Sequence, residues 1–425
     1  MSGSGGTGKV VVPTPRWRRW TVLAMGLALV AAVAVTYVIA ERTSKALIPT
    51  YERVTFRRGT VFSARFTPDG QTVVYSARWL DRPVELYSQR LGTTEARALG
   101  LHGWVLAASG GEMIFLHGDT LSRVSLEGGT PRDIVAGVSD ADWSGDGNRI
   151  AVVREVDGCQ QLEYPVGNVL FRAPTSTEML VSPRLSPRGD LIAVLRQPNG
   201  AMDSHGDVVM LDLSGRMTVL AKGWPSVGGL TWAPDGHEVW FTGTRVGLNQ
   251  ALHAVTLSGR ERILARMAGS ITIQDVAADG RVLLTHDQQR YETRGRMVGD
   301  SVERDLSWLD GTLTPKLSDD GTKMLFQEWG EGGGGRSSAY FWKLDGSTPV
   351  RLGEGTPGNA TPDWKWAVCE VGPPYRLRLV PIGAGDVKEL PLGSLSEATW
   401  GIVCPDGKRM LVVGAEAGRP QRFFT

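Results

Sequence analysis

A short turn signal, Asp-Gly or a close variant of it, returns nine times along this chain at nearly constant spacing. The sites are Pro68-Asp69-Gly70, Gly110 with Gly111, Asp146-Gly147, Pro187-Arg188-Gly189, Pro234-Asp235-Gly236, Asp279-Gly280, Asp320-Gly321, Pro362-Asp363-Trp364 and Pro405-Asp406-Gly407. Asp-Gly between two apolar runs marks a hairpin, because glycine takes the positive φ that such a turn demands. Four residues before most of the turn glycines stands an apolar residue: Phe66, Trp143, Leu185, Trp232, Val276, Leu317 and Val403. Three and five residues after the turn come pairs such as Val73 and Tyr75, Ile192 and Val194, and Val239 and Phe241. That is a period of two, the mark of a strand with one face buried.

A second turn follows most of the first ones, at Leu126-Glu127-Gly128, Leu213-Ser214-Gly215, Leu257-Ser258-Gly259, Leu344-Asp345-Gly346 and Ile382-Gly383. The interval leaves room for a second strand, a variable loop and a third strand. A short fourth strand comes next, as in Ala96 to Leu99 or Glu261 to Leu264. From Gly70 to Gly407 is 337 residues over eight intervals, a period of about 42 and the length of one four-stranded blade. No segment after the first 45 residues shows a helical period. The expected fold is all-β: a β-propeller of about eight blades, with seven blades or an incomplete larger array as alternatives.

Phe66 to Tyr75, Trp232 to Phe241 and Cys404 to Val412 resemble the repeat of the TolB-type, WD-repeat-like propellers. The run from Val54 to Trp79, with Phe56-Arg57-Arg58-Gly59, resembles propellers placed after the membrane helix of bacterial receptor serine/threonine kinases. The resemblance covers residues 51–425 and speaks to fold far more than to function. Trp364 stands where glycine is expected, which predicts a different turn or a slipped register there. The ninth unit has 18 residues after Gly407, too few for all its strands. Residues 52–56 are expected to supply a missing fourth strand and close the ring. The alternative is a chain that stops inside a longer, two-propeller array.

Thr21 to Ala40 is a run of 20 uncharged, mostly apolar residues, long enough to span a bilayer core. Trp17, Trp20 and Tyr37 flank it as interfacial rings do, and Arg16, Arg18 and Arg19 precede it. The positive-inside bias then predicts a single-pass inner-membrane protein with its propeller outside the cytoplasm. The expected organisation is a cytoplasmic tail (1–19), a transmembrane helix (20–40), a linker (41–50) and a propeller (51–425). A cleaved signal peptide ending at Val38-Ile39-Ala40 is the alternative.

With 46 basic and 45 acidic residues the chain has no global field to draw it to nucleic acid. The three cysteines fall in different repeats, so no disulfide framework is expected; Cys369 and Cys404 read as buried. Gly3 to Lys9 mimics a phosphate loop, but Val10 replaces the metal-binding hydroxyl. Arg304-Asp305-Leu306 lacks the rest of a kinase catalytic loop, and no Gly-x-Ser-x-Gly elbow exists. The six histidines are scattered, without metal-ligand spacing. Asp140, Asp142 and Asp146 approach a calcium loop without completing it and read as a solvated acidic turn. No catalytic residue, metal or cofactor is expected.

The most variable connections join the second and third strands of each blade. Such loops gather on one face of a propeller, and here they mix aromatics with arginine as binding surfaces do. Trp79, Asp81, Arg82, Arg245, Asn249, Trp329 and Arg336 are therefore the candidate binding residues. The expected function is non-catalytic binding or sensing of a protein, peptide or glycan. A truncated or split derivative of a receptor kinase and a propeller-fold lyase or glycosidase are the alternatives. The sequence leaves the oligomeric state open.

Overall fold

The computed structural model describes residues 3, 6, 50–174, 178–198, 204–246, 249–287, 291–296, 299–329, 331–334, 337–372, 375–417 and 419–425. The apolar run from Thr21 to Ala40 lies outside the described residues, and among those described no helix is long and apolar enough to cross a membrane.

Each repeat folds as an antiparallel meander, numbered here as blades 1 to 9 in chain order. Blade 1 is Gly59–Phe66, Thr72–Trp79, Glu85–Arg90 and Arg97–Ala98, hydrogen-bonded in that order. Blades 2 to 5 repeat the pattern, with first strands Trp104–Ser109, Val138–Trp143, Glu178–Leu185 and Ser226–Trp232. Blade 6 holds two described strands, Ser270–Val276 and Val282–Asp287. Blades 7 and 8 begin with Thr312–Leu317 and Thr356–Ala360 and have four strands each; blade 9 has Glu397–Val403, Met410–Ala415 and Arg422–Phe424. A small hairpin of Arg294–Gly295 and Arg304–Asp305 precedes blade 7. It is tied there by Thr293, whose hydroxyl donates to the carbonyl of Thr312 at 3.0 Å.

The recurrent turn has a side-chain lock. In blade 1 the Gly70 amide donates to the Thr67 carbonyl at 2.8 Å, while the Thr67 hydroxyl meets Asp69 Oδ1 at 2.5 Å. Ser144 with Asp146, Ser318 with Asp320 and Thr361 with Asp363 repeat it. In blade 4, where Arg188 stands at the aspartate position, Ser186 reaches Asp190 instead. Trp364 keeps the same turn: its amide donates to the Thr361 carbonyl at 2.8 Å, and its own φ is +56°. The expected register slip is absent, because the Thr361–Asp363 lock and the packing of Trp364 against Phe341 hold a conformation that glycine would adopt freely. Gly236 has φ +71° with its missing Cβ in ordinary contact distance, 3.5 Å, of Pro187. Gly236→Ala is therefore expected to lower stability by about 1–2 kcal/mol through backbone strain alone, read from urea melts.

Blades pack face to face, with a separate apolar cluster at each seam. Val74, Leu86, Val105, Met113 and Phe115 join blades 1 and 2, and Leu195, Leu220, Val227, Leu230 and Phe241 join blades 4 and 5. The decisive seam lies between blade 6 and blade 1. Ala277 and Leu283 pack with Ala64, Phe66, Val73 and Tyr75, and the first strand of blade 1 lies against both strands of blade 6. Blades 1 to 6 thus close on themselves as a ring.

A single array of about eight blades is therefore not what forms. Blades 7, 8 and 9 stack on one another outside that ring. Leu317, expected to face inward like Phe66 and Leu185, is 51% exposed, because no described blade packs on that side of blade 7. Nor do residues 52–56 complete a sheet: they form no strand, and blade 1 is built from a continuous stretch.

Candidate functional site

Every first strand of the ring carries a β-bulge at the same depth. The register with the second strand skips Phe62, Leu106, Ser139, Ser182 with Pro183, Gly229 and Gln274 in blades 1 to 6. A bulge re-aims the side chains on either side of it. Phe62, Leu106, Ser139, Ser182, Gly229 and Gln274 all line one central channel of about 460 Å³. Ser182 holds φ +54° at its bulge without being glycine.

Two arginines stand in that channel wall. Arg65 is 6% exposed. Its Nε donates to the Leu106 carbonyl at 2.5 Å and its Nη1 to the carbonyls of Ala64 and Gln274 at 2.6 and 2.9 Å, so it ties blades 1, 2 and 6 together. Burial, and then the neighbouring Arg184 charge, hold its pKa down to about 10, still charged at neutral pH. Arg184 is 7% exposed; its Nη1 donates to the Pro183 carbonyl at 3.0 Å, and its buried Nε has no acceptor among the described residues.

Carboxylates oppose them. Asp140 Oδ2 accepts from the Ser182 amide and Asp142 Oδ2 from the Leu185 amide, both at 2.7 Å. Asp275 Oδ2 accepts from the Phe66 amide at 2.8 Å. Asp142 and Asp275 occupy the same place in their repeats, one residue before Trp143 and Val276, and both clamp the backbone of the following blade. Asn359, one residue before Ala360, makes the same clamp from blade 8 to Val403 of blade 9 at 2.9 Å. The bond that closes the ring is thus the bond that joins blades 3 and 4. Asp140 and Asp142 are strand residues, Asp140 lining the channel, and not the solvated acidic turn expected of them; Asp146 alone of the three lies in the turn.

Burial raises the pKa of Asp140, Asp142 and Asp275, each eased by the nearby arginines. A carboxyl whose folded pKa exceeds its unfolded value adds stability at low pH and loses it as pH rises from about 4 through the raised value. Asp142→Asn is therefore expected to gain stability relative to the parent as pH rises through that window, measured by urea melts across it. The turn aspartates run the other way. The Ser144 and Ser318 hydroxyls hold Asp146 and Asp320 down to about 2, so their contribution fades as pH falls from about 4 through that value.

The residues expected on the binding loops fall in separate places. Trp79 is buried at the end of its strand, packed edge-on against Tyr75 and Tyr87, and Asp81 and Arg82 are exposed in the turn beyond it. Arg245 is exposed, lies over the Trp224 ring at 3.9 Å and pairs with Glu261 at 3.3 Å. Asn249 is exposed on the same connection. Trp329 is half-buried in blade 7, 6.4 Å from Tyr291, and Arg336 lies outside the described residues. The channel does open on the side of these connections, since Gly118 and Asp119, between the second and third strands of blade 2, form part of its lining. Sequence reasoning missed Arg65 and Arg184. Each stands one residue before the inward apolar position, where other blades carry Asp142, Thr231 or Asp275, and that alignment is the signal that finds them.

Among the described residues no cluster of three potential metal ligands forms, and the three cysteines are unpaired, with Cys369 buried and Cys159 and Cys404 half-buried.

No family model matches the chain, and no curated protein matches it. Among solved structures it is similar to TolB from Acinetobacter baumannii, at 14% identity over 78% of this chain and 80% of that one, with a TM-score of 0.35. It is similar to the tricorn protease, at 14% identity over 86% of this chain and 39% of that one, with a TM-score of 0.37. An oligogalacturonate lyase from Vibrio parahaemolyticus gives 10% identity over 78% and 93%, with a TM-score of 0.38. The propeller assignment rests on the strand pairing and the ring closure described above.

Proposed function

We propose that this chain is a membrane-anchored, extracytoplasmic propeller that binds a protein, peptide or glycan without performing chemistry on it. The observation that carries the reading is the channel, into which six bulged strands direct a mixed lining of aromatic, hydroxyl, amide and guanidinium groups. Such a lining offers shape and hydrogen bonds together, as ligand sites do. The anchor rests on Thr21 to Ala40 and the arginines before it.

Two measurements test it. Peptide and glycan arrays probed with the purified chain in detergent are expected to give selective capture that Trp104→Arg, at the channel mouth, abolishes. Cleavage of an arrayed glycan or peptide would replace the reading with an enzyme. A membrane-impermeant maleimide applied to intact spheroplasts is expected to label Cys159 and Cys404. Cys369, whose buried thiol is pushed up to about 12, is expected to label only after urea. Labelling confined to lysed cells would overturn the export.

A further inference from the structure

Arg184 is the charged group in the channel with hydrogen-bonding capacity to spare, and Ser63, whose buried Oγ has no partner among the described residues, lines the same cavity. Arg65 spends Nε and Nη1 on three carbonyls, whereas the buried Nε of Arg184 has no acceptor among the described residues. A buried guanidinium N–H without an acceptor is costly, while the mutual repulsion of the two guanidiniums is offset by Asp140, Asp142 and Asp275. An acceptor set against Arg184 answers the unmet N–H. The cavity also presents ring surface: Phe62 and Trp104 line it and are 38% and 41% exposed. Asp119 and Asp140 line it too, which disfavours a compact dianion and favours a single negative charge.

We propose that the channel binds the carboxylate of an organic acid bearing a flat apolar group, with Arg184 as the anchor, Arg65 beside it, and Phe62 and Trp104 against the apolar body. The guanidinium fork matches a carboxylate in two parallel hydrogen bonds, and the aromatic rim adds contact that a bare ion cannot use. The cavity, about 460 Å³, has the size of small-ligand sites. This assignment deepens the binding-module reading and rests on it.

The test uses the purified full chain and three probes: phenylacetate, its neutral isostere phenylacetamide, and inorganic phosphate. Calorimetry is expected to show phenylacetate binding, with phenylacetamide and phosphate at least about tenfold weaker. Arg184→Met is expected to weaken phenylacetate by at least about tenfold, and Trp104→Ala by less. If Arg184→Met does not fold, Arg184→Lys keeps the charge, loses the fork and is expected to weaken binding by a similar factor. Equal binding of the amide, preference for phosphate, no binding of phenylacetate, or indifference to both Arg184 variants would each overturn the proposal. Array capture that persists without phenylacetate binding would leave the module reading standing while this site falls. Phenylacetate binding without any captured partner would do the reverse.

Discussion

Gly229→Val is expected to cost about 4 kcal/mol or more, enough to leave little folded ring at room temperature. Two effects combine at this bulge. The backbone sits at φ +58°, which a β-branched side chain resists. A Cβ built there would lie 2.3 Å from the Ile273 carbonyl oxygen and 3.0 Å from its amide nitrogen. The obstacle is backbone of the next blade and cannot swing aside, so blades 5 and 6 must part. Gly358, whose Cβ would lie 2.2 Å from the Gly401 carbonyl oxygen, is the same close approach between blades 8 and 9. Urea melts of the purified chain measure the effect. A loss no larger than that of Gly236→Ala would show that the two blades have slack in solution.

Asp275→Ala is expected to cost about 3 kcal/mol, because it strands the buried Phe66 amide and removes a carboxylate that offsets the charge of Arg65. Its signature is local as well as global. Hydrogen exchange of the Phe66 amide should accelerate while that of Leu185, clamped by Asp142, stays protected. Asp142→Ala should give the mirror image. If Asp275→Ala instead leaves Phe66 protected, the apolar seam of Phe66, Tyr75, Ala277 and Leu283 holds the ring shut without the clamp.

Much of the blade pattern was legible in the sequence, because the Asp-Gly turn and the period-two strands are local signals. The second turns at Gly128, Gly215, Gly259, Gly346 and Gly383 fall between third and fourth strands as expected. Ring closure was not legible. Turn spacing is the same in an open array and a closed one, and what decides between them is whether Gln274 and Asp275 meet Ala64 and Phe66, some 210 residues away. Trp79 looked like a loop residue because it ends its strand, yet it finishes in an apolar seam. The channel was hidden for a different reason. A bulge shifts the two-residue alternation by one, so residues such as Ser139 and Gln274 face a side that strict alternation denies them.

The bulges separate two jobs that a regular strand would force onto the same residues. Below each one, alternate side chains are committed to the seams, where a change of volume unsettles two blades together. At the bulge itself Phe62, Ser139 and Ser182 present exposed or half-buried side chains to the channel, whereas Leu106 and Gln274 are buried and Gly229 is fixed by its neighbour. Exchanges at Phe62, Ser139 and Ser182 can therefore redraw what the pore accepts while the scaffold stays as it is. A lineage carrying this ring can explore new ligands by single substitutions, with its architecture held constant.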